Sequence, residues 1–217
     1  MMHDSTGAIM GITDGQAANE RPADGQAADG PRSVEDLRRG SAAGTRWKYV
    51  HFWGHSPRRD GSLGPSCFSQ WWPAPFTVDG VTYATAEHWM MAGKARLFDD
   101  TEAEQRAIAA GHPQQAKNAG RMVRGFDEET WRRHRFGLVV EGSVHKFGGH
   151  PELREFLLGT GSRVLVEASP LDRIWGIGLA ADDVRATDPE RWRGLNLLGF
   201  ALMEARRRLR APASPGQ

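Results

Sequence analysis

The sequence has few of the features that cross-link a chain or anchor it in a membrane. Its single cysteine, Cys67, excludes an internal disulfide framework and a zinc site built from cysteines. No apolar run approaches the ~20 residues that cross a bilayer, and the N-terminus lacks the basic-then-apolar pattern of a signal peptide. With 28 Lys and Arg against 27 Asp and Glu, the formal net charge of +1 creates no field that draws the whole chain to nucleic acid or to an anionic membrane. We therefore expect a cytoplasmic protein without a membrane partner.

Aromatic residues are absent before Trp47, although the chain contains eight tryptophans. Residues 1–46 are instead rich in Gly, Ala, Asp and Ser, and a segment of this composition cannot bury enough apolar surface to offset its chain entropy. The sequence therefore predicts a disordered tail over residues 1–46, with a short helix near residues 33–39. One folded domain is predicted over residues 47–210, followed by a flexible C-terminal end over residues 211–217.

Within the predicted domain, helical patterns outnumber strand patterns. Asp79-Gly80 between two β-prone runs indicates a hairpin, and Thr101 with Glu104 indicates a capping box at the start of a helix. Helices are predicted at residues 86–97, from 101, from 113, at 127–147, 151–158 and 197–209, and strands at 49–53, 76–78, 81–83 and 163–167. Because these elements show no βαβ rhythm, they predict the α+β class, as a mainly helical single domain with a few short strands.

A carboxylate and an amine share one face of the helix predicted over residues 86–97. Glu87 and Lys94 are seven residues apart, about 20° from eclipsed on an α-helix, and Met90 and Met91 between them make this face partly apolar. Burial there raises the pKa of a glutamate and lowers the pKa of a lysine, as acid–base or Schiff-base chemistry requires. The spacing leaves open a reactive pair and a buried structural pair, and by itself it favours the structural pair.

Lysine is scarce in this chain. The 28 cationic residues include four lysines, at positions 48, 94, 117 and 146. In a chain that favours arginine, a retained lysine indicates a site that needs a compact amine able to lose its proton, although each can equally be a solvated surface residue. Lys117 and Arg121 are four residues apart on a predicted helix, and they either bind a phosphate or form a solvated basic face.

A second group of candidate residues follows the strand predicted at residues 163–167. Asp172 precedes Trp175, Gly176 and Gly178; the glycines allow a ligand to approach the backbone, and the indole offers a stacking face. A β-bulge with a core tryptophan explains the same residues and is the commoner arrangement. Glu167, at the end of the strand, is either a second acid or a salt-bridge partner.

Several catalytic signatures are missing from the sequence. It has no Walker loop, no Gly-rich dinucleotide fingerprint after a strand, no Gly-x-Ser-x-Gly elbow and no His-Glu-x-x-His pattern. The scattered histidines form no Cys/His cluster that would indicate a metal site. These absences argue against kinases, Rossmann enzymes and α/β-hydrolases, and we expect neither a metal ion nor a cofactor.

The most distinctive motif runs from Tyr83 to Ala95 and reads Tyr-Ala-Thr-Ala-Glu-His-Trp-Met-Met-Ala-Gly-Lys-Ala. It resembles the signature helix of the NADAR (YbiA-like) family. Further family motifs occur in the family order over about residues 49–209, and they include Phe52-Trp53, Phe68-Ser69, Ala116-Lys117, Gly120-Arg121, Trp131, Lys146-Phe147, Glu167-Ala168-Ser169, Asp172, Trp175-Gly176-Ile177-Gly178 and Asn196-Leu197-Leu198-Gly199. Because many separated motifs agree in order, the resemblance is far more specific than any one of them.

The resemblance implies an N-glycosidase, which cleaves the bond between a base-like nitrogen and a ribose. The substrate classes that it implies are the ribosylaminopyrimidine phosphates of riboflavin biosynthesis and ADP-ribose on guanine, including ADP-ribosylated nucleic acid. The catalytic residues that it implies are Glu87, Lys94, Trp131 and Asp172, with Lys94 as a covalent participant. The substrate-binding residues that it implies are Phe52, Trp53, Phe68, Ser69, Lys117, Arg121, Lys146, Trp175, Gly176, Gly178 and Asn196.

The sequence departs from the family pattern at two positions. Gly93 stands where a longer side chain, often glutamine, is common, and His145 is an unusual residue before Lys146. We expect Gly93 to widen the pocket. Both departures therefore bear on the identity of the substrate rather than on the type of reaction.

A non-catalytic module that binds ADP-ribose or a related nucleotide is the alternative function. Such a module would share the pocket and the tryptophan faces with an enzyme. It gains nothing, however, from placing Glu87 and Asp172 beside an anionic ligand, so the carboxylates favour catalysis. The sequence leaves the oligomeric state open.

Overall fold

The computed structural model describes residues 30–211, and the elements below all lie in the compact unit Pro31–Gln217. Its helices are α1 (Val34–Ala42), α2 (Ala86–Leu97), α3 (Thr101–Ile108), α4 (Pro113–Arg121), α5 (Glu128–Gly149), α6 (Pro151–Gly159) and α7 (Leu197–Arg210). Its strands are β1 (Tyr49–Phe52), β2 (Phe76–Val78), β3 (Val81–Tyr83) and β4 (Val164–Glu167), with short 3₁₀ turns at Pro65–Phe68 and Pro189–Arg191. The prediction of a mainly helical α+β domain with a few short strands is confirmed. The predicted disorder of residues 1–29 and the predicted flexibility of residues 212–217 concern parts of the chain outside the described residues.

The strands form two separate pairs. β2 and β3 make the predicted hairpin, and its turn residues Asp79 and Gly80 have φ of 49° and 79°, as the Asp-Gly pair favours. β1 and β4 pair in parallel, with Tyr49 opposite Val164 and Phe52 opposite Glu167. This parallel pair brings two distant parts of the chain together and sets the last residue of β4 at the edge of the core.

α2 is the central helix of the domain, because α3, α4 and α5 all pack against it. Its residues from Ala86 to Gly93 are buried, which explains why its sequence shows little polar face. The expectation that Gly93 widens the pocket is wrong, since a Cβ there would lie 2.6 Å from Leu138 Cδ1 on α5. Gly93 instead allows α2 and α5 to approach each other closely.

α3 begins one residue earlier than the predicted capping box implies. The N-cap is Asp100, whose Oδ1 accepts a hydrogen bond from the Ala103 amide at 3.1 Å. The same carboxylate accepts a hydrogen bond from the Arg124 guanidinium at 2.7 Å, so Asp100 both caps α3 and connects it to the loop after α4. The prediction that Thr101 is the cap residue is therefore wrong by one position. None of the described helices is both long and apolar enough to cross a membrane.

α1 packs on the domain, so the predicted disorder of residues 1–46 is wrong for this part of the segment. Ser33 caps the helix through a hydrogen bond from the Asp36 amide at 3.1 Å, close to the predicted helix at residues 33–39. Leu37 is fully buried in the main core, and its carbonyl accepts a hydrogen bond from the Trp47 indole at 2.9 Å. Two buried apolar residues are enough to fix a capped helix onto an existing core.

We expect Leu37→Ala to destabilise the domain by about 2–4 kcal/mol, because the side chain leaves a cavity in the core. Arg39→Ala is the matched control on the same helix: the side chain of Arg39 is exposed and makes only a surface ion pair, so its loss should cost less than about 1 kcal/mol. Urea unfolding followed by circular dichroism measures both. Equal small effects would contradict the packing of α1 on the core.

Candidate active site

An open cleft of about 660 Å³ lies where α2, α4, the start of α5 and the segment after β4 meet. The predicted site residues that line it are Trp53, Ser69, Glu87, Lys94, Lys117, Arg121, Trp131, Asp172 and Trp175. The cleft also contains residues that the sequence did not single out as binding residues, among them His55, Gln70, Trp71 and Glu167. Tertiary structure therefore brings three carboxyl groups, two lysine amines and one guanidinium around a single space.

Glu87 is buried at the start of α2, with only 3% of its surface exposed. Its amide donates to the Gln70 carbonyl at 3.0 Å, and its Oε1 has no hydrogen-bond partner within residues 30–211. Burial raises the pKa of Glu87 to about 7, against the opposing effects of Lys117, a hydrogen bond from Trp71 and Arg121. A carboxyl with this pKa can exist in either protonation state near neutrality.

Glu167 is a second buried carboxyl of the cleft. Its backbone is fixed on both sides, because its amide donates to Asn196 Oδ1 at 3.0 Å and its carbonyl accepts from the Ile177 amide at 2.9 Å. Its Oε2 is buried without a hydrogen-bond partner in the described part of the chain. Burial, together with the negative charges of Asp172 and Glu87, raises the pKa of Glu167 to about 8.

Lys94 lines the cleft with its amine held among aromatic rings. Nζ lies 4.0 Å from the centre of the Phe126 ring and 5.6 Å from that of the Trp131 ring. Burial lowers the pKa of Lys94, and Glu128 opposes this shift. Phe126 was not a predicted site residue, because it lies in the loop before α5, where no periodic pattern indicates its orientation.

Asp172 shapes the turn that carries Trp175 into the cleft. Its Oδ1 accepts hydrogen bonds from the amides of Ile174 at 2.8 Å and Trp175 at 2.7 Å. Its carbonyl accepts from the Gly178 amide at 3.0 Å. The carboxylate therefore orders the loop after β4 while it also borders the cleft.

Two predicted ligand-binding glycines contact the chain itself and do not line the cleft. A Cβ at Gly176 would lie 2.8 Å from the Glu167 carbonyl oxygen, and a Cβ at Gly178, where φ is +67°, would lie 3.0 Å from Arg193 Cβ. The prediction that these glycines let a ligand approach is corrected: they let the loop pack against the end of β4. That packing agrees better with the alternative interpretation of the motif, in which these residues contribute to the core of the domain.

Four further predicted binding residues do not line the cleft and instead hold the elements around it: Phe52, Phe68, Lys146 and Asn196. The rings of Phe52 and Phe68 are 5.5 Å apart in the core. Lys146 is buried and donates to the carbonyls of Cys67 at 2.6 Å and Ser69 at 2.8 Å, which fixes the turn that presents Ser69. Burial lowers the pKa of Lys146 to about 7. Asn196 is left-handed, with φ of 52°, and joins the end of β4 to the start of α7.

The cationic wall of the cleft comes from α4. Lys117 and Arg121 are one turn apart and both face the cleft, and Lys117 Nζ lies 5.9 Å from the centre of the Trp71 ring. Trp71 in turn contacts the rings of His55 at 5.5 Å and His112 at 5.8 Å. Sequence reasoning missed Trp71 and His55, which lie in irregular segments without periodicity; the adjacent Trp-Trp pair at 71–72 was the only local signal.

The fold and the cleft define an α+β domain with an open cleft lined by carboxyl groups and cationic side chains. Within residues 30–211, no three His, Cys, Asp or Glu side chains are arranged to hold a metal ion. The NADAR domain family model matches residues 51–210. The chain therefore belongs to the NADAR family.

Several known proteins are similar to this chain. An N-glycosidase of Acanthamoeba polyphaga mimivirus is 40% identical over 164 residues, which cover 73% of this chain and 95% of that protein. The riboflavin biosynthesis protein PYRR of Zea mays is 33% identical over 135 residues, covering 59% of this chain but 20% of that longer protein. The NMR structure of the E. coli protein YbiA superposes with a TM-score of 0.59 at 28% identity and covers 76% of this chain and 86% of YbiA.

Proposed function

We propose that this protein is an N-glycosidase that hydrolyses the N-ribosyl bond of a phosphorylated riboside in the described cleft. The observation that carries the proposal is the convergence of Glu87, Glu167, Asp172 and the Lys94 amine on one cleft, in a family whose relatives include a named N-glycosidase. The substrate is a ribosylaminopyrimidine phosphate of the riboflavin pathway or ADP-ribose attached to guanine, free or in nucleic acid. The relationship to a riboflavin biosynthesis protein supports the first class.

Glu87 is the carboxylate that faces the developing charge. Breaking an N-ribosyl bond builds positive charge on the sugar ring, and a fixed negative group beside it lowers the barrier. Glu87 lines the cleft, its buried Oε1 has no hydrogen-bond partner among residues 30–211, and its amide donates to the Gln70 carbonyl. Asp172 orders the Trp175 loop and lines the same cleft as Glu87. Water then adds to the anomeric carbon, as in glycoside hydrolysis generally.

The phosphate of the substrate binds Lys117 and Arg121, which stand one helical turn apart on the wall of the cleft. Charge-assisted hydrogen bonds from such a pair fix both the position and the orientation of the sugar. Trp53 and Trp175 also line the cleft, and their indole rings offer stacking surfaces to the base.

Lys94 supplies a covalent route for substrates whose sugar ring opens. A ribosylamine opens to an imine at the anomeric carbon; the Lys94 amine adds to that carbon and the base amine leaves, forming a Schiff base. Water hydrolyses the Schiff base to the free sugar aldehyde and returns the amine. The lowered pKa of Lys94 favours the neutral amine that this step requires.

Borohydride added during turnover is expected to trap the sugar on Lys94, because it reduces the Schiff base to a stable amine. Peptide mass spectrometry should then find the mass of the sugar phosphate on Lys94, and Lys94→Ala should lower kcat on the order of 100-fold. Lys48→Ala, which removes an exposed lysine before β1, is the control and should retain full activity. Unchanged turnover in Lys94→Ala would exclude the covalent route.

The proposed function is tested with purified full-length protein and two substrates, a ribosylaminopyrimidine phosphate and ADP-ribosylated guanosine. Mass spectrometry is expected to detect release of the pyrimidine base and ribose phosphate from the first substrate, of guanosine and ADP-ribose from the second, or both. Tight binding of ADP-ribose by calorimetry without release of base from either substrate would instead favour the non-catalytic binding module.

A further inference from the structure

The role assigned to Glu87 leaves a second buried carboxyl of the cleft without a function. Glu167 lines the same cleft, and its Oε2 is buried with no hydrogen-bond partner among the residues that the structure describes. Folded proteins rarely bury a carboxyl oxygen without a partner, because no hydrogen bond then offsets the free energy lost when the oxygen leaves water. Such an oxygen at the wall of a cleft is matched to a group that arrives with the ligand.

The position of Glu167 is fixed by several elements at once. Asn196, in a left-handed conformation at the start of α7, holds its amide, and the Ile177 amide holds its carbonyl. Gly176 packs so closely on this carbonyl that a Cβ would lie 2.8 Å from the oxygen. A main chain held in this way fixes the direction of the Glu167 Cα–Cβ bond, and the residue lines the cleft.

The charges around the two buried glutamates differ. Glu87 faces two cations, Lys117 and Arg121, and accepts a hydrogen bond from Trp71, all of which favour its ionised form against the opposing negative charge of Asp172. Glu167 faces the negative charges of Asp172 and Glu87, and of the cations only Lys117 acts on it appreciably. The other charged or titratable residues that line the cleft are His55, Lys94 and Arg121. When the two carboxyls share one proton, this arrangement keeps the proton on Glu167.

We propose that Glu167 is the general acid of the N-ribosyl cleavage, donating its proton to the leaving nitrogen while Glu87 stays ionised beside the sugar. As the carbon–nitrogen bond breaks, its electron pair stays on the nitrogen, which takes the Glu167 proton, so the base leaves neutral. Water adds its oxygen to the anomeric carbon and returns one proton to the Glu167 carboxylate, which restores the starting state. The same acid protonates the leaving amine in the Schiff-base route. This role rests on the proposed N-glycosidase function.

The test compares wild type, Glu167→Gln, Glu167→Asp and the control Glu155→Gln on the substrate that wild type cleaves. Glu155 is exposed on α6 and does not line the cleft. The steady-state rate of base release is measured by mass spectrometry from pH 6 to pH 9. Thermal unfolding reports whether each variant folds. Glutamine keeps the shape and the polarity of the side chain but has no proton to transfer.

We expect kcat of wild type to fall as the pH rises above the pKa of Glu167, because the acid loses its proton. Glu167→Gln should lower kcat at pH 7 about 100-fold or more, with KM within threefold, and should lose the falling alkaline limb. Glu167→Asp should keep that limb at a lower rate, and Glu155→Gln should match wild type.

Three results would overturn the role of Glu167 alone: activity of Glu167→Gln within threefold of wild type, an alkaline limb that persists in this variant, or a wild-type profile that is flat to pH 9. If Glu167→Gln does not fold, the wild-type profile and Glu167→Asp decide. A wild type that cleaves neither class of substrate would instead overturn the proposed function, and the role of Glu167 with it.

Discussion

Glu87→Gln is expected to lower kcat about 1,000-fold, because the substitution removes the negative charge that stabilises the sugar cation but keeps the shape of the side chain. Glu87 must be ionised to act, and burial raises its pKa to about 7. The kcat/KM of wild type should therefore fall as the pH drops below about 7. A pH–rate profile of wild type and a single-pH comparison of the variant measure both effects.

The control for this prediction is Glu152→Gln, which changes an exposed glutamate in the first turn of α6, the same helical position that Glu87 has in α2. It should retain full activity. Stability gives a second readout, since a buried acid with a raised pKa binds protons more tightly in the folded state. Folding stability is then lost as the pH rises from about 4.5 to about 7, so Glu87→Gln should unfold at no lower temperature than wild type at pH 8. A variant with normal kcat, or one that unfolds markedly earlier at pH 8, would contradict the role of Glu87.

Gly199→Ala is expected to destabilise the domain by about 3 kcal/mol or more and to lower the Tm by roughly 10 °C. A Cβ at this position would lie 2.0 Å from the Leu165 carbonyl oxygen and 2.5 Å from Asn196 Nδ2. Neither neighbour can move freely, because one is strand backbone and the other holds the amide of Glu167. α7 would therefore have to separate from β4, and the position of Glu167 would shift with it.

Gly137→Ala is the matched control, since Gly137 is also helical but is exposed on α5 with nothing within 4 Å of its Cβ position. Alanine should stabilise that helix by up to about 1 kcal/mol. Scanning calorimetry compares the two variants, and turnover should fall only in Gly199→Ala. A Gly199→Ala protein as stable as wild type would contradict the close contact between α7 and β4.

The elements of this fold could be predicted where the signal was local. The Asp79-Gly80 turn, the cap at Asp127 and the periodicity of residues 86–97 each depend on neighbours a few residues away, and the structure has the hairpin, α5 and α2 at these positions. Predictions that needed distant contacts were less accurate. α1 folds because Leu37 packs into a core that is built mainly from residues after position 46. The composition of residues 1–46 does not reveal this contact.

For the candidate site, too, predictions from local signals differ from those that need distant contacts. The helical period alone puts Glu87 and Lys94 on one face of α2, and the structure has both side chains in the cleft. The sequence left open whether Glu167 is a second acid or a salt-bridge partner. Its position is set by the parallel pairing of β1 with β4 and by the packing of α7. Gly176, Gly178, Lys146 and Asn196 are part of this support and not of the cleft wall.

The amino-acid sequence by itself determined the family resemblance, the class of fold and the placement of Glu87 and Lys94 on one face of α2, because motifs, caps and helical periods depend on short stretches of chain. Only the tertiary structure decided which carboxyls share the cleft and that the pKa values of Glu87 and Glu167 are raised. Both depend on desolvation and on charges contributed by segments far apart in sequence, and these exist only once the chain has packed.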